Sequence, residues 1–138
     1  MILYREHGDS QARTYFFVQN SKTRKNEIWV SENGSRMTKL IRNIEQPWII
    51  LNLQNAPSDL LAIYEPNLKR LSFYTIEFAK QCLDPSELQK FVKIQIENWV
   101  PKDDTQNLRE ANFFYFKNKL FYDRDGNLEI WNLKEKGN

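Results

Sequence analysis

The chain has 138 residues, close to the usual size of one domain, and a net charge of +2 excludes a surface that is basic throughout. One histidine and one cysteine exclude an internal disulfide and an ordinary zinc site of His and Cys ligands. The sequence contains no apolar run of about 18–20 residues, the length that spans a membrane. We therefore expect a single cytoplasmic domain over residues 1–138 that has no contact with a membrane.

Turn residues divide the first half of the chain into segments of strand length, rich in aromatic and β-branched side chains. Asn33 and Gly34 form the preferred two-residue hairpin turn, because both can adopt a positive φ. A second hairpin is expected around residues 65–67. The predicted strands cover residues 13–19, 27–31, 36–41, 48–53, 60–64 and 69–76. This pattern indicates an antiparallel meander of about six strands.

Residues 84–99 have the pattern of an amphipathic helix. Asp84 is a typical N-cap, Pro85 suits the first helical position, and Glu87 completes a capping box. Apolar side chains then recur at the spacing of one helical face, at Leu88, Phe91, Val92, Ile96 and Trp99. The sequence predicts one main helix over about 85–99, which ends before the proline at position 101.

The last third of the chain returns to strand patterns, at residues 112–116, 120–122 and 128–133, with a tight turn at Asp125 and Gly126. The predicted fold class is therefore α+β. We expect an antiparallel meander of about 8–9 strands, curled or closed into a half-barrel, with the helix packed on it. The expected core comprises Phe17, Trp29, Ile50, Leu51, Ile63, Phe73, Leu88, Phe91, Ile96 and Trp99.

Several predicted strands are apolar on both faces. Residues 48–51 and 113–116 are apolar at every position, and successive side chains of a strand point to opposite faces. One helix covers only part of a sheet, so the remaining apolar side chains are either buried by curling of the sheet or exposed to a partner. The leading hypothesis is a non-enzymatic interaction module, such as a regulator, inhibitor or immunity-type protein, that binds another protein or forms a homodimer. The candidate binding residues are Phe114, Phe116, Phe121 and Trp131.

A basic segment supports an alternative hypothesis. Residues 13–42 contain seven Lys and Arg residues but only two acidic residues. Tyr15, Phe17 and Trp29 are interleaved with them and could stack on bases, as in proteins that bind single strands. The alternative is thus a nucleic-acid-binding module. Its candidate contacts are Lys22, Arg24, Lys25, Arg36, Lys39 and Arg42.

Residue types that carry catalysis are scarce. A third hypothesis is a small nuclease, either metal-dependent or using His7 as its general base. The nearest cluster of carboxylates is Glu97 with Asp103 and Asp104, and it matches no known spacing. A calcium loop that begins at Asp123 requires glycine at its sixth position and glutamate at its twelfth, but Leu128 and Lys134 occupy those positions. We expect no catalytic residue, metal or cofactor. The richness in Asn, Lys, Ile and Phe is typical of AT-rich bacterial or phage genomes.

Overall fold

The computed structural model describes residues 2–8, 11–32, 36–51, 53–54, 56–57, 59–76, 82–100, 113–124 and 127–133. Within these residues twelve strands form three four-stranded sheets, and ten of the strands have four residues or more. In chain order the elements are β1 (Ile2–Gly8), β2 (Gln11–Gln19), β3 (Asn26–Glu32), β4 (Met37–Ile44), β5 (Ile49–Ile50), β6 (Leu53–Gln54), β7 (Leu60–Glu65), β8 (Arg70–Thr75), α1 (Pro85–Leu88), β9 (Val92–Ile96), β10 (Phe113–Phe116), β11 (Lys119–Arg124) and β12 (Asn127–Asn132).

Each sheet is built mainly from sequential antiparallel strands. Sheet 1 has the order β1-β2-β3-β4, and sheet 2 has the order β5-β7-β8-β9. Sheet 3 has the order β12-β11-β10-β6, in which the short β6 runs parallel to β10. The connections within the three sheets are therefore mostly local hairpins.

Sheet 2 is the central layer, because its two faces belong to two different hydrophobic cores. Along β7, Leu61 and Ile63 lie in the core shared with sheet 1, whereas Leu60, Ala62 and Tyr64 lie in the core shared with sheet 3. Successive side chains of a strand alternate between faces, so a strand that is covered on both sides is apolar at every position. The run of apolar residues 60–64, all buried, is explained by this position.

The prediction of one main helix over 85–99 is wrong. The helix α1 has only four residues, and a 3₁₀ turn at Gln89–Phe91 leads directly into the strand β9. Its start was predicted correctly, since Asp84 and Glu87 form the capping box. Residues 92–96 also alternate with a period of two, and Ile94 pairs with Phe73 of β8. Backbone pairing with the edge of β8 therefore determines the conformation of this segment, and the helical spacing of its apolar residues does not.

The α+β class and the single sheet of about 8–9 strands, curled or forming a half-barrel, are also wrong. The described chain is mostly β, and its three sheets do not close into a barrel. The predicted strand over 48–53 breaks into β5 and β6, which join different sheets. This break transfers the chain from the central layer to an outer one. The additional strand β1 was not predicted.

Most of the expected core is buried, although not every member of it. Trp29 and Ile96 are half-buried, and Phe91 is 39% exposed. The remaining seven expected core residues are buried: Phe17, Ile50, Leu51, Ile63, Phe73, Leu88 and Trp99. The predicted turns at 33–34 and 125–126 lie outside the described residues, but the strands on either side of each pair as hairpins. The described part of the chain contains no helix long and apolar enough to cross a membrane.

Candidate functional site

The outer face of sheet 3 exposes a cluster of large apolar side chains. The antiparallel register places Phe114 opposite Phe121, and Phe121 opposite Ile130, so that one row crosses three strands. Phe116 and Leu128 share this face by the alternation of β10 and β12, and they are 53% and 61% exposed. We call this surface the apolar face. It consists of Phe114, Phe116, Phe121, Leu128 and Ile130.

Two lysines border the apolar face at the turn between β10 and β11. Lys119 lies opposite Phe116 in the strand pairing, and the ammonium of Lys117 lies 5.3 Å from the centre of the Phe116 ring. Lys117 and Asn118 both have positive φ, as the tight two-residue turn requires. Glu129 points to the opposite side of the sheet, since it pairs with the buried Tyr122. The charges described at this end of the apolar face are therefore positive.

Trp131, the fourth candidate for protein binding, does not lie with the other three. It pairs with Leu120 on the inner side of sheet 3 and is half-buried. Its ring centre is 5.8 Å from that of Phe73 and 6.1 Å from that of Phe113. Trp131 thus belongs to the aromatic layer beneath the apolar face. Ile130 and Leu128, which the sequence analysis did not select, take the outward positions of the same strand.

The outer face of sheet 1 carries a second surface feature, an open groove of about 730 Å³. Phe16 lies opposite Trp29 in the pairing of β2 with β3, and Trp29 lies opposite Lys39 of β4. Sequence reasoning missed this groove, because its residues come together only through the pairing of β2, β3 and β4. The groove is lined by Phe16, Val18, Asn20, Ser21, Lys22, Glu27, Trp29 and Met37.

Glu27 is the buried charge of the groove. Its carboxylate accepts hydrogen bonds of 3.0 Å from the Trp29 indole and from the Asn20 amide, and it lies 3.2 Å from the Lys39 ammonium. Burial raises the pKa of Glu27, but these three partners outweigh burial and hold the pKa below its ordinary value. The ammonium of Lys39 also lies 5.4 Å from the centre of the Trp29 ring. The carboxylate is therefore ionised, neutralised by Lys39, and used to orient the indole.

The six basic candidates for nucleic-acid binding do not form one patch. Lys22, Arg24 and Lys25 lie in the loop between β2 and β3, whereas Arg36 precedes β4 at the far end of sheet 1. That end is about 20 Å from the loop between β2 and β3, because the seven residues of β3 separate the two.

Three of these basic residues are already paired. Lys25 pairs with Glu45 at 3.0 Å, and Lys39 pairs with Glu27. Arg42 pairs with Asp84 at 2.9 Å. Among the described residues, no acidic side chain forms an ion pair with Lys22, Arg24 or Arg36. The excess of positive charge in this segment is consequently smaller than the sequence indicates.

Residue types that could carry nuclease chemistry are not brought together in the described part of the chain. No group of three or more His, Cys, Asp or Glu side chains in this part is placed to hold a metal ion. His7 lies on β1 opposite Ala12, and Asp103 and Asp104 fall outside the described residues. Burial raises the pKa of the Cys82 thiol, which disfavours the nucleophilic thiolate.

Comparison with known proteins gives no match to this chain, whether by protein family, by curated protein sequence or by solved structure.

Proposed function

We propose that the protein is a non-enzymatic interaction module that binds a partner protein through the apolar face. The observation that supports this proposal is the row Phe114–Phe121–Ile130 across three neighbouring strands, with Phe116 and Leu128 exposed beside it. A contiguous apolar surface is costly to leave in water, and surfaces of this kind are typical of protein interfaces. Aromatic side chains in particular are enriched at interface centres.

The layer beneath the apolar face supports a preorganised binding surface. Phe113 and Tyr122, which pair directly beneath it, stack with ring centres 4.6 Å apart. Trp99 packs against Tyr122 at 5.6 Å from the other side of the core. Strands held on such a core keep their outward side chains in fixed positions, so binding requires little further ordering.

The chemistry of the partner is inferred from the charge along the border. Lys117 and Lys119 flank the phenyl ring of Phe116, and both are exposed. A partner that presents an apolar patch bordered by carboxylates complements this arrangement, and charge complementarity increases the association rate as well as specificity. The proposed partner is therefore an acidic protein surface with an apolar centre.

The test of this proposal is retention of a partner from extracts of the native cell by immobilised protein, followed by affinity measurement with the purified partner. We expect Phe116→Gln and Ile130→Gln to abolish retention, because each places a polar amide at the centre of the interface. Met37→Gln makes the matched change on the outer face of sheet 1 and is expected to retain the partner. Lys119→Glu is expected to weaken binding and to reduce its salt dependence, because it cancels the charge of Lys117.

Light scattering of the purified protein distinguishes a second copy from a different protein. A dimer that becomes monomeric in the Ile130→Gln variant identifies the occupant of the apolar face as a second copy and overturns the acidic partner. Retention that survives both substitutions in the apolar face contradicts the proposed interface altogether.

Nucleic-acid binding, the alternative hypothesis, is supported less by this geometry. Arg36 lies at the opposite end of sheet 1 from Lys22, Arg24 and Lys25, and three of the six basic residues are paired with carboxylates. Binding along a phosphate backbone depends on several unpaired cations acting together. We therefore rank this hypothesis second.

A further inference from the structure

The groove on sheet 1 is a second surface feature, separate from the apolar face. Its volume of about 730 Å³ is within the range of about 300–1,000 Å³ that is usual for sites of small organic ligands. Met37 is level with Ser31 of β3, and Lys22 lies beyond the other end of the same strand. The six residues from Asn26 to Ser31 span about 17 Å, so the groove is elongated along the strands.

The two ends of the groove differ in chemistry. Met37, Phe16 and Trp29 provide an apolar and aromatic surface over one end and the middle. Asn20, Ser21 and Lys22 line the other end. The side-chain oxygen of Asn20 is engaged, because it accepts hydrogen bonds from the backbone N–H groups of residues 22 and 23. Its amide nitrogen donates to Glu27. The Lys22 ammonium and the Ser21 hydroxyl are further hydrogen-bond donors at this polar end.

Among the residues that the structure describes, the charges of the groove leave one cation, Lys22, without a counterion. Glu27 is neutralised by Lys39, and its carboxylate also binds the indole of Trp29 and the amide of Asn20. Lys22 forms no ion pair with any residue that the structure describes. An anionic group of a ligand is therefore favoured at Lys22, whereas a cationic group finds no free carboxylate in the described lining.

We propose that this groove binds a small, elongated, amphipathic anion. Its apolar or aromatic body lies on Phe16, Trp29 and Met37, and its anionic group pairs with Lys22. An aromatic acid and a fatty acid share this chemistry. The proposal is independent of the protein interface on sheet 3, because the two surfaces lie on the outer layers at opposite sides of the central sheet.

The experiment uses anilinonaphthalene sulfonate, a fluorescent aromatic anion, and N-phenylnaphthylamine, its neutral analogue. We expect saturable binding of one sulfonate probe per chain. Lys22→Gln is expected to weaken that binding about two- to fivefold, the scale of a solvent-exposed ion pair, and to leave the neutral probe unaffected. Lys90→Gln, a matched change on the exposed 3₁₀ turn, is expected to leave the affinity for both probes unchanged.

The location of the probe is tested with substitutions on the two outer faces. Met37→Glu is expected to abolish binding of the sulfonate, because the apolar body of the probe would then have to displace the water around a carboxylate. Ile130→Glu, the matched change on sheet 3, is expected to preserve it. Near-ultraviolet circular dichroism checks that each variant is folded. Amide chemical shifts that change at residues 18–22 and 29–31 in the unsubstituted protein locate the probe without any substitution.

Displacement of the probe distinguishes the two sources of the ligand. Displacement by dodecanoate supports a fatty acid, and displacement by naphthoate supports an aromatic acid. The proposal is overturned if neither displaces the probe. It is also overturned if binding is lost in Ile130→Glu but kept in Met37→Glu, or if Lys22→Gln weakens both probes equally.

Discussion

The indole N–H of Trp29 donates a hydrogen bond of 3.0 Å to the carboxylate of Glu27, two residues earlier on the same strand. Residues two apart on a strand share a face, so the two side chains are neighbours wherever β3 is formed. Lys39 supplies the counterion from the adjacent strand. The side chain of Glu27 is only 8% exposed as a result, yet its partners keep it ionised.

Glu27→Gln is expected to lower the free energy of unfolding by about 1–3 kcal/mol at neutral pH, because it removes the charge from three hydrogen bonds. The pKa of Glu27 is lowered by folding, so its contribution is complete above the ordinary value of 4.5 and is lost as the pH falls through the folded value. Thermal unfolding between neutral and acidic pH measures this dependence. The difference between the two proteins should shrink as the solution becomes more acidic.

The control for this measurement is Glu45→Gln. Glu45 makes one ion pair, with Lys25, and its side chain is 70% exposed. A small change in stability is expected, since exposed ion pairs contribute little. A difference in the free energy of unfolding between wild type and Glu27→Gln that stays constant at every pH would contradict the role of the ionised carboxylate.

Phe113→Ala is expected to destabilise the fold by about 3–5 kcal/mol, the usual cost of truncating a fully buried phenyl ring. Phe113 is completely buried in the core between sheets 2 and 3 and stacks on Tyr122. Phe116→Ala, three residues later on the outer face, should change the stability by no more than about 0.5 kcal/mol. Urea unfolding of the two variants measures the difference. Equal losses would show that the layers are not arranged as described.

The positions of most strands between residues 11 and 76 could be read from the sequence, because turn residues separate them, whereas β1 was not predicted. The strands β7 and β8 lie within one residue of their predicted bounds, and Glu65 and Arg70 close their hairpin with an ion pair of 3.1 Å. The sequence does not indicate which of the three sheets each strand joins. Residues 48–53 look like one strand, but pairing with β7 and with β10 divides them between two sheets.

Residues 88–99 show why the predicted helix failed. Val92 and Ile96 fit both a helical face and, with Ile94, a strand face, and short apolar runs do not separate the two. The segment forms a strand because its backbone pairs with the edge of β8. Trp99 is buried as expected, but through a turn: Asn98 has a positive φ, and the backbone N–H of Trp99 donates to the carbonyl of Lys69 at 2.8 Å.

The candidate sites were predictable only to the level of residue type. Phe114, Phe116 and Phe121 were selected as aromatic residues of the last strands, but which of them point outward depends on strand pairing. A shift of one residue in register exchanges the faces of a strand, and the pairing of Leu120 with Trp131 turns Trp131 inward. The groove on sheet 1 likewise depends on the pairing of three strands, which no local pattern specifies.

Nuclear Overhauser effects test the strand that replaced the predicted helix. Ile94 lies opposite Phe73 in the antiparallel pairing, so contacts between the backbone protons of these two residues are expected. A helix over the same residues instead gives contacts between positions three apart, such as Lys93 and Ile96. If the contacts between positions three apart are observed and the contact between Ile94 and Phe73 is not, the segment is a helix, as the sequence predicted. Residues 85–88 serve as the internal reference, since they form a helical turn in either case.

Gel-shift assays test the nucleic-acid hypothesis. Binding to phosphates requires unpaired cations, and ion pairs to carboxylates already engage Lys25, Lys39 and Arg42. At about 50 mM salt, where such contacts are strong, we expect no discrete complex with single- or double-stranded DNA or RNA. If a complex does form, changing Lys22, Arg24 and Lys25 together to Glu should weaken it and flatten its salt dependence, because these three share one loop. Lys117 and Lys119, changed to Glu in a matched variant on sheet 3, distinguish that loop from general attraction to positive charge. Suppose that a complex is lost when Lys22, Arg24 and Lys25 are changed but is kept when Lys117 and Lys119 are changed. That result would place nucleic-acid binding ahead of the protein interface.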